Sequence, residues 1–268
     1  MGFQYKKVLL IGSTSGIGAA LAETLIQNGV FVIGVGRRKE RLEEFVSKHG
    51  SSKADSRVFD INNLENIPGF ASEVFKAHPD IDFVFVNAGI QRALDFTKPE
   101  NVDLETFDLE LKTNYTAPVY LSKAILPYLT AQSRPTALAF TTTQLAIITL
   151  HSRPNYGASK AALHHFVLAL RQQVKKAGQQ VNVLEVYPPA TQTELHDSKH
   201  QPDLKNGGQI GMPLNEFNDQ LWKGLQAGHE DIAIGTAKDI YDKVEPIRQE
   251  EDKKFNDVMD EALKNFLA

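Results

Sequence analysis

The sequence predicts an α/β fold: a doubly wound, mostly parallel sheet of seven strands with helices on both faces. Three observations lead there. Short apolar runs rich in β-branched residues alternate with helix-patterned stretches, the mark of βαβ units. Three helical stretches stop on a glycine just before the next apolar run, at Asn28-Gly29, His49-Gly50 and Ala177-Gly178, where a left-handed residue ends a helix. Right-handed crossovers then sort the helices onto two faces.

Taken in order, strands are expected at Lys7–Ile11, Val30–Val35, Arg57–Asp60, Phe83–Asn87, Ala137–Thr142, Val181–Val186 and Asp231–Ile234. No repeat, low-complexity tract or linker interrupts the pattern, so the 268 residues are read as one domain. One polar excursion, Glu194 to Met212, carries Gly207-Gly208 and few large apolar anchors beyond Leu195, Leu204 and Ile210. It follows the sixth strand, so its path crosses the open cleft at the sheet's C-terminal edge, and we read it as a mobile substrate lid. The last stretch, Arg248 to Ala268, spaces Phe255, Val258, Met259, Ala262, Leu263, Phe266 and Leu267 along one face of an amphipathic helix. That stripe is expected to pack on the chain's own core or on a partner subunit.

Composition narrows the function. Hydrophobic residues make up 42% and charged residues 23%, enough for a packed core. A formal net charge of −4 supplies no positive field for nucleic acid. No apolar run approaches the roughly 18 residues of a membrane helix, and polar Met1–Lys7 leads straight into Val8–Ile11 without a signal-peptide pattern. A cytoplasmic protein is expected. Cysteine is absent, which excludes disulfides, thiolate nucleophiles and cysteine-based zinc sites. The eight histidines include the helical pair His164-His165 and the loop pair His196 and His200, without an accompanying acidic ligand pattern, so no metal is expected.

Two segments carry chemistry. Gly12-Ser13-Thr14-Ser15-Gly16-Ile17-Gly18 follows the first strand and opens a helix. Glycines there let main chain turn and approach a pyrophosphate, and the helix start offers free N–H groups. Tyr156 and Lys160 stand four residues apart on a helix-patterned stretch, hence on one face. A phenol titrates near ~10, and a neighbouring ammonium, helped by an oxidised nicotinamide, favours its anion and brings it toward acid/base work.

With these segments in place, the chain resembles the short-chain dehydrogenase/reductase family over roughly residues 6–194. Gly12–Gly18 fits T-G-x-x-x-G-x-G, Tyr156/Lys160 fits Y-x-x-x-K, and Val86-Asn87-Ala88-Gly89 fits N-N-A-G; Asn114 and Leu126-Pro127 fall at their family positions. The resemblance implies a Rossmann-like fold, a homodimer or homotetramer, and an NADP(H)-dependent oxidoreductase that interconverts a small-molecule carbonyl and its alcohol. Tyr156 would donate the proton, Lys160 would lower its pKa and hold the nicotinamide ribose, and Asn114 would position a water. Thr143 stands where the family's Ser binds the substrate oxygen, with the hydroxyl kept and a methyl added. Asp60 and Ile61 match the adenine position, and Pro188, Thr191 and Thr193 match the loop that meets the carboxamide.

At the end of strand two, where NAD-preferring relatives carry an acid, stands Gly36, followed by Arg37 and Arg38. Repulsion of a 2′-phosphate is thereby removed and a charge-assisted donor supplied, which selects NADP(H). Three departures stand out. Ile11 and Val86 replace a hydroxyl and an amide that usually face each other, as though one contact became apolar on both sides; Pro189 replaces a glycine. Gln91, Arg92, Gln144 and His151 are candidates for the substrate wall. Two other readings remain open: a non-catalytic NADP(H)-binding regulator or scaffold, and a specialised biosynthetic reductase/cyclase.

Overall fold

The computed structural model describes residues 2–264 and 266. Its strands are β1 (Lys7–Ile11), β2 (Phe31–Gly36), β3 (Ala54–Val58), β4 (Phe83–Val86), β5 (Thr136–Thr141), β6 (Val181–Tyr187) and β7 (Asp231–Ala233). Every pairing among them is parallel, in the order β3-β2-β1-β4-β5-β6-β7. The helices are α1 (Gly16–Gln27), α2 (Lys39–His49), α3 (Ile67–Ala77), α4 (Leu104–Leu111), α5 (Ala117–Thr130), α6 (Pro154–Lys176), α7 (Leu214–Ala227) and α8 (Thr236–Leu263).

Alternation along the strands builds two cores. Leu9, Ile11, Ile33, Val84, Val86, Leu138 and Phe140 face α3, α5 and α6, burying against Phe70, Leu121, Ile125, Leu163 and Val167. Val8, Leu10, Val32, Phe83, Phe85 and Val186 face the other way, onto Leu21 and Leu25 of α1 and Phe217 and Leu221 of α7. Both sheet faces are covered, which explains why the strands read as continuous apolar runs. The glycines at 29, 50 and 178 all adopt positive φ, as the helix-stop pattern requires. Ile11 and Val86 are register partners across β1 and β4 and are both buried, so the two departures meet as one apolar contact.

The chain winds from β1 through β2 to β3, then crosses back to lay β4 on the other side of β1. Strand order reverses there, and the loops that leave β1 and β4 part to open a crevice.

The C-terminal expectation is corrected. The helix expected over 248–268 begins twelve residues earlier, at Thr236, and Pro246 lies inside it. A buried ion cluster holds the helix through that proline: Glu245 accepts from Arg248 and faces His164, which also pairs with Glu185 of β6 at 2.9 Å. Nor is the apolar stripe buried on the chain's own core, because Phe255, Val258 and Phe266 are all exposed. Leu267 lies outside the described residues.

Candidate active site

The crevice at the C-terminal ends of β1, β4, β5 and β6 is a cleft of about 680 Å³. One end is built from main chain. Gly12, at φ +91°, brings the glycine loop so close to the β4 loop that a Cβ would fall 2.6 Å from the Ala88 nitrogen. Asn87 locks the two loops together, donating to the Gly12 carbonyl (3.1 Å) while accepting from Thr141 (3.0 Å). No side chain caps α1 at Ser15, so its first turn is left facing the cleft without a side-chain acceptor. This cradle fits a dinucleotide pyrophosphate. Thr14, Ser15, Gly16 and Ile17 line it; Ser13 turns its hydroxyl to the Val35 carbonyl, and Gly18 packs behind. Asp60 and Ile61 also line this end.

Arg37 and Arg38 have different surroundings. Arg38 donates to Thr14 (3.0 Å), to Ser15 and to Glu194 (2.6 Å), so it braces the glycine loop. Arg37 is 65% exposed, with Asp60 3.8 Å away. Burial works to raise the Glu194 carboxyl, but its hydrogen bonds from Arg38 and Arg41 and their charges prevail and hold it at about 2.

The other end is built from side chains. Tyr156 and Lys160, one turn apart on α6, are both buried, with Nζ 6.0 Å from the phenol ring centroid. Lys160 donates to the Thr141 carbonyl at 2.7 Å and lies beneath Gly89, where a Cβ would stand 3.3 Å from Nζ and 3.1 Å from Asn114 Oδ1. Asn114 sits in a π-helical turn, Lys112–Thr116, between α4 and α5, a distortion that often accompanies functional sites. Its amide clamps Ile90, accepting from the main-chain N–H and donating to the carbonyl, both at 2.9 Å. Thr143 donates to the Pro188 carbonyl at 3.3 Å and caps the short turn after β5.

Burial is the first influence on both titrating groups. It raises the Tyr156 phenol well above its ordinary value, with the Glu110 charge adding and the Thr143 hydroxyl opposing. It lowers Lys160 to about 8, against the charges of Glu185 and Glu110. Lys160 alone therefore does not bring the phenol down, contrary to the simplest reading of the Y-x-x-x-K spacing.

Pro188, Thr191, Thr193, Gln91 and Gln144 all line the cleft. His151 is exposed and outside its lining, and Arg153, two residues on, takes the expected place. Arg153 is only 4% exposed and binds Gln201 (2.8 Å) and Asp203 (2.7 Å). Gln201, fully buried, also donates to Gln91 and to the Leu195 carbonyl, both at 2.7 Å. This corrects the picture of an unanchored excursion: residues 194–212 roof the cleft, and polar side chains pin them there. Glu110 is buried behind the site, accepting from the Arg92 N–H and the Asn155 amide, both at 2.7 Å. Its position one turn before Asn114 was a usable signal; nothing local marked Gln201.

A family model described as short chain dehydrogenase matches residues 6–203. The chain belongs to the short-chain dehydrogenase family. It is 32% identical to the uncharacterised oxidoreductase DltE of Bacillus subtilis, over 84% of this chain and 86% of that protein. Serine 3-dehydrogenase of Rhizobium radiobacter is 30% identical, over 81% and 80%. The crystal structure of a short chain dehydrogenase from Burkholderia cenocepacia in complex with NADP superposes with a TM-score of 0.76 at 25% identity, covering 95% of this chain and 98% of that one. As a short-chain dehydrogenase, the chain is an oxidoreductase, and the seven-stranded parallel sheet is the fold of its relatives. No helix among the described residues is long and apolar enough to cross a membrane.

Proposed function

We propose that the chain is an NADP(H)-dependent oxidoreductase that interconverts a small-molecule carbonyl and its alcohol, with Tyr156 as general acid/base. The observation that carries this reading is the convergence of buried Tyr156 and Lys160 with Thr143 at one end of a cleft whose other end is the glycine cradle. A regulator that only sensed the dinucleotide would need the cradle and not a buried acid/base pair.

When bound, the reduced nicotinamide supplies the hydride to the carbonyl carbon. Tyr156 gives its phenolic proton to the carbonyl oxygen, and the Thr143 hydroxyl, turned from its long bond to the Pro188 carbonyl, donates to the same atom. Lys160 holds the nicotinamide ribose and stabilises the phenolate left behind. Asn114, through Ile90, fixes the floor beneath Lys160. In the reverse direction Tyr156 would take the alcohol proton, its anion favoured against burial by the positive charge that a bound oxidised nicotinamide would supply.

The preference for NADP(H) is supported by Gly36 and Arg37. No carboxylate stands at the end of β2, and Arg37 is the arginine whose guanidinium is largely free to meet a 2′-phosphate, Arg38 being occupied by Thr14, Ser15 and Glu194. The Burkholderia relative holds NADP. Residues 194–212 act as the lid, released by exchange of the Gln201 and Glu194 contacts, and the assembly is a homodimer or homotetramer in the cytoplasm.

The deciding experiment follows NADPH oxidation over a panel of aldehydes and ketones, beside Tyr156→Phe. Turnover that vanishes in the variant supports the reading. Undiminished turnover in Tyr156→Phe overturns the role of the phenol.

A further inference from the structure

The two ends of the cleft differ in charge in a way the net charge does not forecast. The whole chain carries a formal −4. The carboxylates among the lining residues, Asp60 and Glu194, both sit at the cradle end, facing Arg37, Arg38 and Arg41. Around Tyr156 the lining instead supplies Arg92, Arg153 and Lys199, together with His196 and His200, and no carboxylate.

Arg92, Arg153 and Lys199 are not neutralised in the same measure. Asp203 pairs with Arg153 from outside the lining. Arg92 gives one N–H to the Gln91 carbonyl, and among the described residues no carboxylate lies within ion-pair distance of Arg92 or Lys199. Glu110 is withheld from the cleft, fully buried with both oxygens engaged. A neutral substrate that displaced water from half-buried Arg92 would leave its guanidinium without a partner, which is costly, whereas buried Arg153 keeps Asp203 and exposed Lys199 keeps water. A carboxylate instead matches a guanidinium with two parallel hydrogen bonds. Arg153 stands three residues before Tyr156, at the start of α6, and both line the cleft.

We propose that the substrate is a short oxo acid, or the corresponding hydroxy acid, whose carboxylate is received by Arg92 and Arg153 with Lys199 contributed from the lid. This rests on the carbonyl–alcohol reading above. Guanidinium and ammonium groups on this wall select the anion, while Tyr156 and Thr143 address the carbonyl oxygen.

Binding tests the charge preference independently of turnover. Isothermal titration of malonate into the protein, with and without NADPH, is expected to give at least tenfold tighter binding than dimethyl malonate. The preference should shrink toward unity in Arg92→Gln/Lys199→Gln and persist in Arg92→Lys, which keeps the charge if the double variant fails to fold. A diester that binds as tightly as malonate, or a malonate affinity untouched by the double substitution, overturns the proposal. In turnover, acetoacetate should exceed methyl acetoacetate at least tenfold in kcat/KM, and parity or inversion also overturns it. If no ketone or aldehyde of any charge consumes NADPH, the carbonyl-reduction reading fails, while the malonate-to-diester ratio still decides the anionic subsite.

Discussion

The cradle end and the substrate end of this cleft are made from different materials. At the cradle end, three short segments adjacent to strands meet main chain to main chain, and Gly12 is the contact that lets them do so. At the substrate end, Gln91, Arg153 and Gln201 meet through side chains 48 to 110 residues apart in sequence. The first kind of site depends on turns and strand ends, which leave a local record. The second depends on where a loop lands, which does not. Main-chain geometry also tolerates substitution of neighbouring side chains, whereas a buried amide bound to three partners does not.

The largest effect expected from breaking this division comes from Tyr156→Phe. It should lower kcat by about 10²–10⁴-fold, the usual worth of a positioned proton donor, while the dissociation constant for NADPH moves by less than about threefold. A parallel loss of NADPH binding, read by fluorescence titration, would mean the two ends are not separable. Next in size is Arg37→Ala, which acts on the opposite end. It should weaken NADPH by about tenfold, roughly 1.4 kcal/mol, leave NADH nearly unaffected, and leave the substrate KM in place. Equal weakening of both cofactors would remove Arg37 from the 2′-phosphate.

Gln201→Ala sharpens the contrast from the substrate side. It strips Arg153 and Gln91 of a buried partner, a loss of about 1–3 kcal/mol for groups left unsatisfied. Faster hydrogen exchange across 194–212 and a severalfold higher substrate KM are expected, with NADPH affinity intact. Exchange that stays at the wild-type rate would show that the roof is held by something other than this amide.

The smallest effect concerns the ion cluster under the substrate end. Burial opposes the charge on His164, but Glu185 and Glu245 prevail and raise it to about 9. A histidine raised in the folded state stabilises fully below its ordinary pKa near 6.5, and that contribution fades as pH climbs through about 9. Melting temperature should therefore decline between those values, and His164→Gln should flatten the decline while lowering stability at pH 6. An identical pH slope in the variant would assign the decline to other groups.

Six of the strands, the glycine loop, the spacing of Tyr156 and Lys160 and the paired change at Ile11 and Val86 were legible in the sequence, because each is recorded in residues next to one another or at a fixed helical or strand spacing. The third strand, expected at Arg57–Asp60, instead runs Ala54–Val58, where Asp55, Ser56 and Arg57 leave no apolar run to mark it. The same logic failed where packing overrules local preference. The last helix was read from Arg248, yet α8 begins at Thr236 and runs through Pro246, with buried Glu245 bound to Arg248 and His164 beside it. The segment 194–212 looked unanchored because only apolar residues were counted as anchors, and Gln201 is polar. His151 yielded to Arg153 because the direction of a side chain just before α6 is set by how the chain enters that helix.

What the sequence by itself determined is the sheet, the glycine cradle and the placing of Tyr156 and Lys160 on one helix face, since turn geometry and periodicity follow from local sterics. Only the tertiary structure decided the protonation balance at Tyr156 and the charge of the substrate wall. Both depend on burial and on groups such as Glu110, Arg153 and Gln201 that only folding brings to the site, and desolvation has no signature along a chain.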